Sequence, residues 1–215
     1  MKPVGILGGT FDPVHYGHLR LAEEMLELLG LESIRFIPAG NPPHRDAPGV
    51  SARHRCEMVR LAISDHSAFL LDPREAAKEG KCYTVDTLRE LRRELGSDQP
   101  LCLLMGGDAF LQLHTWHEWE AIPELAHIAV GYRPGYALDT NSMEPKLHEH
   151  YRKRLCGVDR MREMPAGGII GLAIPRLEIS ATMIRERVAE RRSIRYLLPE
   201  PVADYIHQHN LYTSC

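Results

Sequence analysis

Two histidines three residues apart, His15 and His18, stand in the stretch GGTFDPVHYGHL at residues 8–19, behind a glycine pair and ahead of an amphipathic run. Gly8 and Gly9 let the chain turn sharply after an apolar strand and leave backbone N–H groups uncovered, so that a phosphate can approach the main chain. The helix that follows aims its N-terminal amides and partial positive charge at the same place. One i,i+3 step puts both imidazoles on one face of a first helical turn, and Gly17 between them removes a side chain that would crowd a ligand. Two imidazoles aimed at a phosphate donate hydrogen bonds, and at least one can become protonated beside the anion. That suits the charge that builds on a transferring phosphoryl group. Zinc ligation and plain packing are the alternatives. Helical zinc pairs favour i,i+4 spacing with a third ligand close by, as in H-E-x-x-H, and this pair lacks that pattern.

Further polar residues stand where strands are expected to end. In ISATMIRER, residues 179–187, Ser180 and Thr182 open a helix with hydroxyls and N–H groups that form a second anion-binding end. Arg185, one turn on, supplies a permanent charge whose planar fork suits phosphate. Taken alone, the same stretch reads more readily as a capped surface helix with solvated arginines. NPPHR sets His44, and less pointedly Arg45, in a loop stiffened by two prolines. Thr84 caps a helix and can present N–H donors. Asp108 follows a second glycine pair, as a partner for sugar hydroxyls or as an N-cap. Trp116 offers a flat ring a stacking face, or it and Trp119, at i,i+3, are core. The pairs His148/His150 and His207/His209 read as solvated helix or loop features.

The elements that must hold these residues follow from hydrophobic period. PVGILGG, SIRFIPAG, AFLLD, LCLLMGGD, AHIAVGYRP and GGIIGLAIP are short apolar runs ended by glycine, proline or acidic residues, and read as six strands. Helices are expected over Tyr16–Leu29, from Ser51 through Ser64 with Met58, Leu61 and Ala62 inward, after Thr84, over SATMIRERVAERR and over PEPVADYIHQHNLY. Strands alternating with helices predict an α/β, Rossmann-like, doubly wound parallel sheet with C-terminal helices, in which ligands bind beyond the carboxyl ends of the strands. The 215 residues suit a single domain, with an inserted helical segment at 135–165.

A formal net charge of -3 gives no global attraction for nucleic acid or an anionic membrane, so phosphate binding has to be built locally. The five cysteines are odd in number, scattered and never paired as C-x-x-C, which argues against a disulfide framework or zinc ribbon and for a reducing cytoplasm. No window approaches a membrane span, and the N-terminal apolar stretch is too short for a signal sequence.

Together, GTFDPVHYGHL and ISATMIRER resemble the G-x-F-x-P-x-H-x-G-H and I-S-x-T-x-I-R signatures of the adenylyl- and cytidylyltransferases, which share the H-x-G-H fold with class I aminoacyl-tRNA synthetases. NPPHR, YTVDTL, MGGD and TWHEWE narrow the resemblance to the bacterial-type nicotinate mononucleotide adenylyltransferases, over essentially the whole chain. The resemblance implies transfer of AMP from ATP to nicotinate mononucleotide in NAD biosynthesis, giving nicotinate adenine dinucleotide and pyrophosphate, with Mg2+ carried mainly on the ATP phosphates and no protein metal site. It implies that Gly8, Gly9, Thr10, Phe11, His15, His18, His44, Ser180, Thr182 and Arg185 hold ATP. Of these, His15, His18 and Arg185 would stabilise the reacting phosphates. Thr84, Asp108, Trp116 and Arg133 would hold the mononucleotide, Trp116 by stacking on the pyridine ring. One position departs from the pattern: His117 stands where family members often carry a tyrosine after that tryptophan. A sister enzyme using nicotinamide mononucleotide or phosphopantetheine, and a nucleotide sensor without turnover, stay open as alternatives. A tRNA-charging fragment is disfavoured by the negative charge and the lack of a K-M-S-K-S loop. No nucleic-acid or membrane partner is expected, and a homo-oligomer is left open.

Overall fold

Short runs of Val, Ile, Leu and Met bounded by turn residues suit strands of a sheet covered on both faces. They form β1 (Val4–Gly9), β2 (Ser33–Pro38), β3 (Phe69–Leu71), β4 (Leu101–Gly106), β5 (His127–Tyr132) and β6 (Ile169–Ala173) of a computed structural model that describes residues 1–40, 48–133, 142–175 and 177–213. The sheet order is β3-β2-β1-β4-β5-β6. β1, β4 and β5 are covered on both faces, whereas β2 alternates with Ser33 and Arg35 and β3 at the sheet edge leaves Leu70 exposed. Parallel register sets Ile6 opposite Leu103, Leu104 opposite Ala129 and Ala129 opposite Ile170. The order reverses between β1 and β4, which is the doubly wound arrangement and its topological switch point. Every strand expected from the sequence is present.

The helices are α1 (Tyr16–Leu29), α2 (Ala52–Ala62), α3 (Thr84–Leu95), α4 (Gly107–Leu111), α5 (Ile122–Leu125), α6 (Pro145–Arg154), α7 (Val158–Glu163), α8 (Ala181–Ala189) and α9 (Glu200–Gln208). α1 has the expected bounds and buries Ala22, Met25 and Leu29. α2 stops at Ala62, short of Ser64, and its buried stripe is Arg55, Met58, Val59 and Ala62, while Leu61 is only half-buried. Thr84 is the first residue of α3 and not its cap, a position that Tyr83 takes with no side-chain bond. Of the segment expected as an insertion, residues 135–141 lie outside the described residues, and the remainder holds α6 and α7. The turns at α4 and α5 and the two 3-10 turns at Leu113–Thr115 and Trp119–Ala121 are too short for periodicity to announce. Among the described residues, no helix is long and apolar enough to cross a membrane.

The chain divides into two compact units, residues 1–8, 21–35 and 83–176 in one, and 9–20, 36–82 and 177–215 in the other. In the first, Arg92 of α3 donates to the carbonyls of Leu125 (2.6 Å) and Gln99 (2.5 Å) and gathers loop ends that would otherwise bury unpaired oxygens. His127, fully buried in β5, is a structural histidine: its Nε2 meets the Met164 carbonyl at 2.8 Å while Nδ1 accepts from Gly168 N at 2.9 Å. In the second unit, Phe36 lies between the rings of Phe11 (5.9 Å) and Phe69 (5.2 Å), and α2 packs on α9.

Candidate active site

Gly8 and Gly9 end β1 without entering the left-handed region; the residue that does so is Phe11, at φ 49°. The turn therefore falls two residues later than the glycines suggested. A side chain at Gly9 would meet the Phe11 ring at 3.0 Å, whereas one at Gly8 would meet nothing within 4 Å. Gly9 is thus glycine to admit Phe11, and Gly8 to keep the main chain uncovered. Phe11 itself is 2% exposed, with its ring edge-on to His18 at 5.0 Å. Its side chain supports an imidazole from below and presents almost no surface to a ligand.

His15 precedes α1 and does not lie in its first turn. Its carbonyl accepts from His18 N (2.9 Å) and Leu19 N (3.3 Å), which makes it the cap of the helix that carries His18. The two rings stack 3.8 Å apart at 30°. His15 Nδ1 accepts from Gly17 N at 3.1 Å, and His18 Nδ1 accepts a longer bond from His15 N at 3.3 Å. An imidazole whose Nδ1 is an acceptor carries its proton on Nε2, so both rings share one tautomer. Burial pushes the His15 pKa down to about 4, which makes it a neutral donor at rest rather than a cation. Gly17 serves this seat: a Cβ there would stand 2.9 Å from the His15 ring and 3.4 Å from the Ile179 carbonyl. It makes room for the imidazole, not directly for a ligand.

The second motif folds against the same loop. Ser180 caps α8, its Oγ accepting from Met183 N at 3.1 Å. Arg185 donates from one terminal nitrogen to the Asp12 carbonyl (2.8 Å) and from the other to Thr182 Oγ1 (3.3 Å). Its distance to Asp12 Oδ2 is 3.9 Å, so the guanidinium is oriented by neutral oxygens and not clamped on the carboxylate. Asp12, 5% exposed, instead receives Gly49 N on Oδ2 and the Tyr212 hydroxyl on Oδ1, each at 2.7 Å.

Arg55 completes this loop cluster and escaped the sequence reading. It is 1% exposed and donates to the carbonyls of Thr10 (2.6 Å) and Gly40 (3.0 Å), pinning the residues that follow β1 to those that follow β2. Burial lowers its pKa, and the negative charge of Asp12 opposes that. The signal was available: Arg55, Met58, Val59 and Ala62 fall at i, i+3, i+4 and i+7, so an arginine occupies the apolar stripe of α2. Asp12 and Tyr212 gave no such signal. His44 and Arg45 lie outside the described residues.

In the other unit, a second group of expected site residues clusters around α3. Trp119 is core, at 9% exposure, while Trp116 is half-buried, so the two tryptophans do different work. Between them Glu118 adopts a left-handed φ of 47° and pairs with Arg89. The bond from Arg89 holds the Glu118 carboxyl below its usual range. The His117 ring lies 4.3 Å from Tyr83, immediately before Thr84, and 3.2 Å from Glu118 Oε1. Thr84 contributes one of the first amides of α3, where backbone donors are left over by the helix. Asp108 is an exposed residue of α4, whose cap is Gly106, so Asp108 is not an N-cap. Arg133 stands exposed directly after β5. Among the described residues no three His, Cys, Asp or Glu side chains gather as metal ligands, and His148/His150 and His207/His209 belong to no such group.

The sequence profile of the cytidylyltransferase-like family matches residues 6–187. A Dechloromonas aromatica protein named "Probable nicotinate-nucleotide adenylyltransferase" is 52% identical over 214 residues, covering 99% of both chains. One of the same name from Acidithiobacillus ferrooxidans is 45% identical over 209 residues, covering 97% of this chain and 95% of its own. The solved structure of the Plasmodium falciparum nicotinic acid mononucleotide adenylyltransferase complexed with NaAD shares the fold, with a TM-score of 0.73 at 19% identity over 99% of this chain and 98% of that one.

Proposed function

The chain belongs to the cytidylyltransferase-like family and, within it, to the nicotinate-nucleotide adenylyltransferases, and we infer from that membership that it transfers AMP from ATP to nicotinate mononucleotide. The products are nicotinate adenine dinucleotide and pyrophosphate, and the step belongs to NAD biosynthesis. The 5′-phosphate oxygen of the mononucleotide attacks the α-phosphorus of ATP in line, and pyrophosphate leaves. That oxygen is already anionic, so no general base has to activate it, and catalysis reduces to positioning and charge stabilisation.

The observation that carries our assignment of residues is the stacked pair of His15 and His18, each with Nδ1 on a backbone amide and so with its donor on Nε2. Two preset donors lose no reorganisation energy when charge builds on the phosphates. In this reading Gly8, Gly9 and Thr10 line the phosphates with backbone, Ser180 and Thr182 bring the start of α8, and Arg185 supplies permanent charge to the departing pyrophosphate. His44 is a further phosphate ligand in the same proposal. For the mononucleotide, Trp116 stacks on the pyridine ring, the amides at Thr84 receive its carboxylate, Asp108 bonds ribose hydroxyls and Arg133 meets the phosphate.

Magnesium bound with ATP would supply charge neutralisation at the phosphates. An ion that keeps its waters asks little of the Asp12 carboxylate, whose oxygens are engaged by Gly49 N and the Tyr212 hydroxyl. The five cysteines without a C-x-x-C pair support a cytoplasmic setting.

Pyrophosphate release tests the reading, with ATP and a panel of acceptors: nicotinate mononucleotide, nicotinamide mononucleotide and phosphopantetheine. The acid mononucleotide is expected to be the fastest, because helix-start amides favour a carboxylate over an uncharged amide. No release with any acceptor, or faster release with phosphopantetheine, would reject it.

A further inference from the structure

Tyr212 lies after α9 in a part of the chain that the two signature motifs do not reach, yet its hydroxyl ends on Asp12, inside the first of them. The residue adopts a left-handed φ of 61°, as does Asn210 at 48°, conformations that disfavour a side chain carrying Cβ. At Asn210 this backbone closes α9, with Leu211 N donating to the Ile206 carbonyl at 3.0 Å, and at Tyr212 it carries the phenol to Asp12 Oδ1 at 2.7 Å. The ring also closes over Gly49, where an added Cβ would stand 3.3 Å from Tyr212 and 3.4 Å from Asp12 Oδ2.

The consequence falls on Arg185. A buried carboxylate next to a guanidinium ordinarily takes it up in a two-pronged ion pair. Here both carboxylate oxygens are occupied by other donors, Gly49 N and the Tyr212 hydroxyl, and Arg185 rests on the backbone carbonyl of the same residue, 3.9 Å from Oδ2. Arg55 does not take the place of the phenol, since its two terminal nitrogens donate to Thr10 and Gly40. We propose that Tyr212 is a positioning residue for adenylyl transfer: by anchoring Asp12 through Oδ1 it stops the carboxylate from turning onto Arg185, which stays 3.9 Å from Oδ2 and directed toward the triphosphate. The inference rests on the reading that Arg185 meets the ATP phosphates. Burial, and then the adjacent Asp12, push the phenol pKa up, so that it remains a donor at every physiological pH.

Steady-state kinetics of Tyr212→Phe, Asp12→Asn and the double variant test this. Without the phenol, the Asp12 carboxylate is free to turn onto Arg185, so Tyr212→Phe should raise KM for ATP by about tenfold and leave KM for nicotinate mononucleotide within about twofold. Asp12→Asn removes the charge that would capture the arginine, so adding Tyr212→Phe on that background should cost little further, a non-additivity that a merely structural phenol would not produce. The inference is overturned by an unchanged KM for ATP in Tyr212→Phe, by a parallel loss for both substrates, or by an undiminished penalty in the double variant. Should Tyr212→Phe unfold at assay temperature, the rise in Tm on adding ATP, starting from the cold, reads the same affinity and is expected to shrink. A wild-type enzyme that releases no pyrophosphate would sink the function and this inference together, whereas wild-type turnover with normal ATP affinity in Tyr212→Phe sinks this inference alone.

Discussion

The imidazole of His15 lies 3.8 Å from that of His18, ring on ring, with a backbone amide on each Nδ1. The peptide N–H of His15 is itself the donor to His18, so one residue caps the helix, orients its partner and offers its own Nε2. Replacing His18 by Ala is expected to lower kcat by on the order of 10²-fold or more, the loss typical of one preorganised donor. Pyrophosphate release at saturating substrates measures it, and near-normal turnover would remove His18 from the mechanism.

Gly17→Ala should mimic part of that loss without touching either histidine. The new Cβ would stand 2.9 Å from the His15 ring, so the ring has to move. A fall in kcat with the helix intact by circular dichroism is the expected result; unchanged kcat would show that the seat of His15 is not critical.

The pH dependence of stability follows from the same burial. The His15 pKa is about 4 in the folded chain against an unfolded value of 6.5, so between these pH values the unfolded chain binds more protons. Stability therefore rises with pH in that window and is lost as pH falls from 6.5 toward 4, by up to about 3 kcal/mol from this one group. Urea unfolding of the wild type and of His15→Asn across that range tests the sign, since the variant should lose less stability on acidification.

The two tryptophans should separate cleanly. Trp116→Ala is expected to raise KM for nicotinate mononucleotide while leaving KM for ATP nearly unchanged, because its half-buried ring keeps a face for stacking. Trp119→Ala removes a buried ring and should cost about 3–5 kcal/mol of stability. Equal KM losses for both substrates in Trp116→Ala would point to misfolding rather than a lost stacking partner.

Arg55→Met keeps the apolar stripe of α2 but leaves the carbonyls of Thr10 and Gly40 without their donor. Each part-buried oxygen left without its donor costs at most about 1–3 kcal/mol, partly offset by no longer burying a charge. Chemical denaturation should show a net loss, and turnover should fall because the residues after β1 are no longer pinned. A variant as stable and as active as the wild type would refute the pinning role.

Much of the fold was legible because strands buried on both faces have no polar alternation, and because α1 carries a full apolar stripe between its first residue, Tyr16, and its last, Leu29. Strand ends rich in glycine and helix starts rich in hydroxyls also placed His15, His18, Ser180 and Arg185 without coordinates. The short turns between β4 and β5 were not legible, since three to five residues hold less than two helical periods. The work of Gly9 and Gly17 was misjudged for a related reason. Glycine announces a close approach or a turn but not the atom approached, and at Gly9 and Gly17 that atom belongs to Phe11 and His15.

By itself the sequence determined which chemistry this protein carries: two imidazoles, a guanidinium and hydroxyl-rich helix starts are local features, fixed by residue type and spacing of three or four. Tertiary structure alone decided how those groups are held. An arginine kept off a buried carboxylate and a second arginine inside the core depend on partners 37, 45, 173 and 200 residues away along the chain. Spacing along a chain encodes the face of a helix, whereas desolvation and hydrogen-bond competition exist only once distant segments have closed around the same atoms.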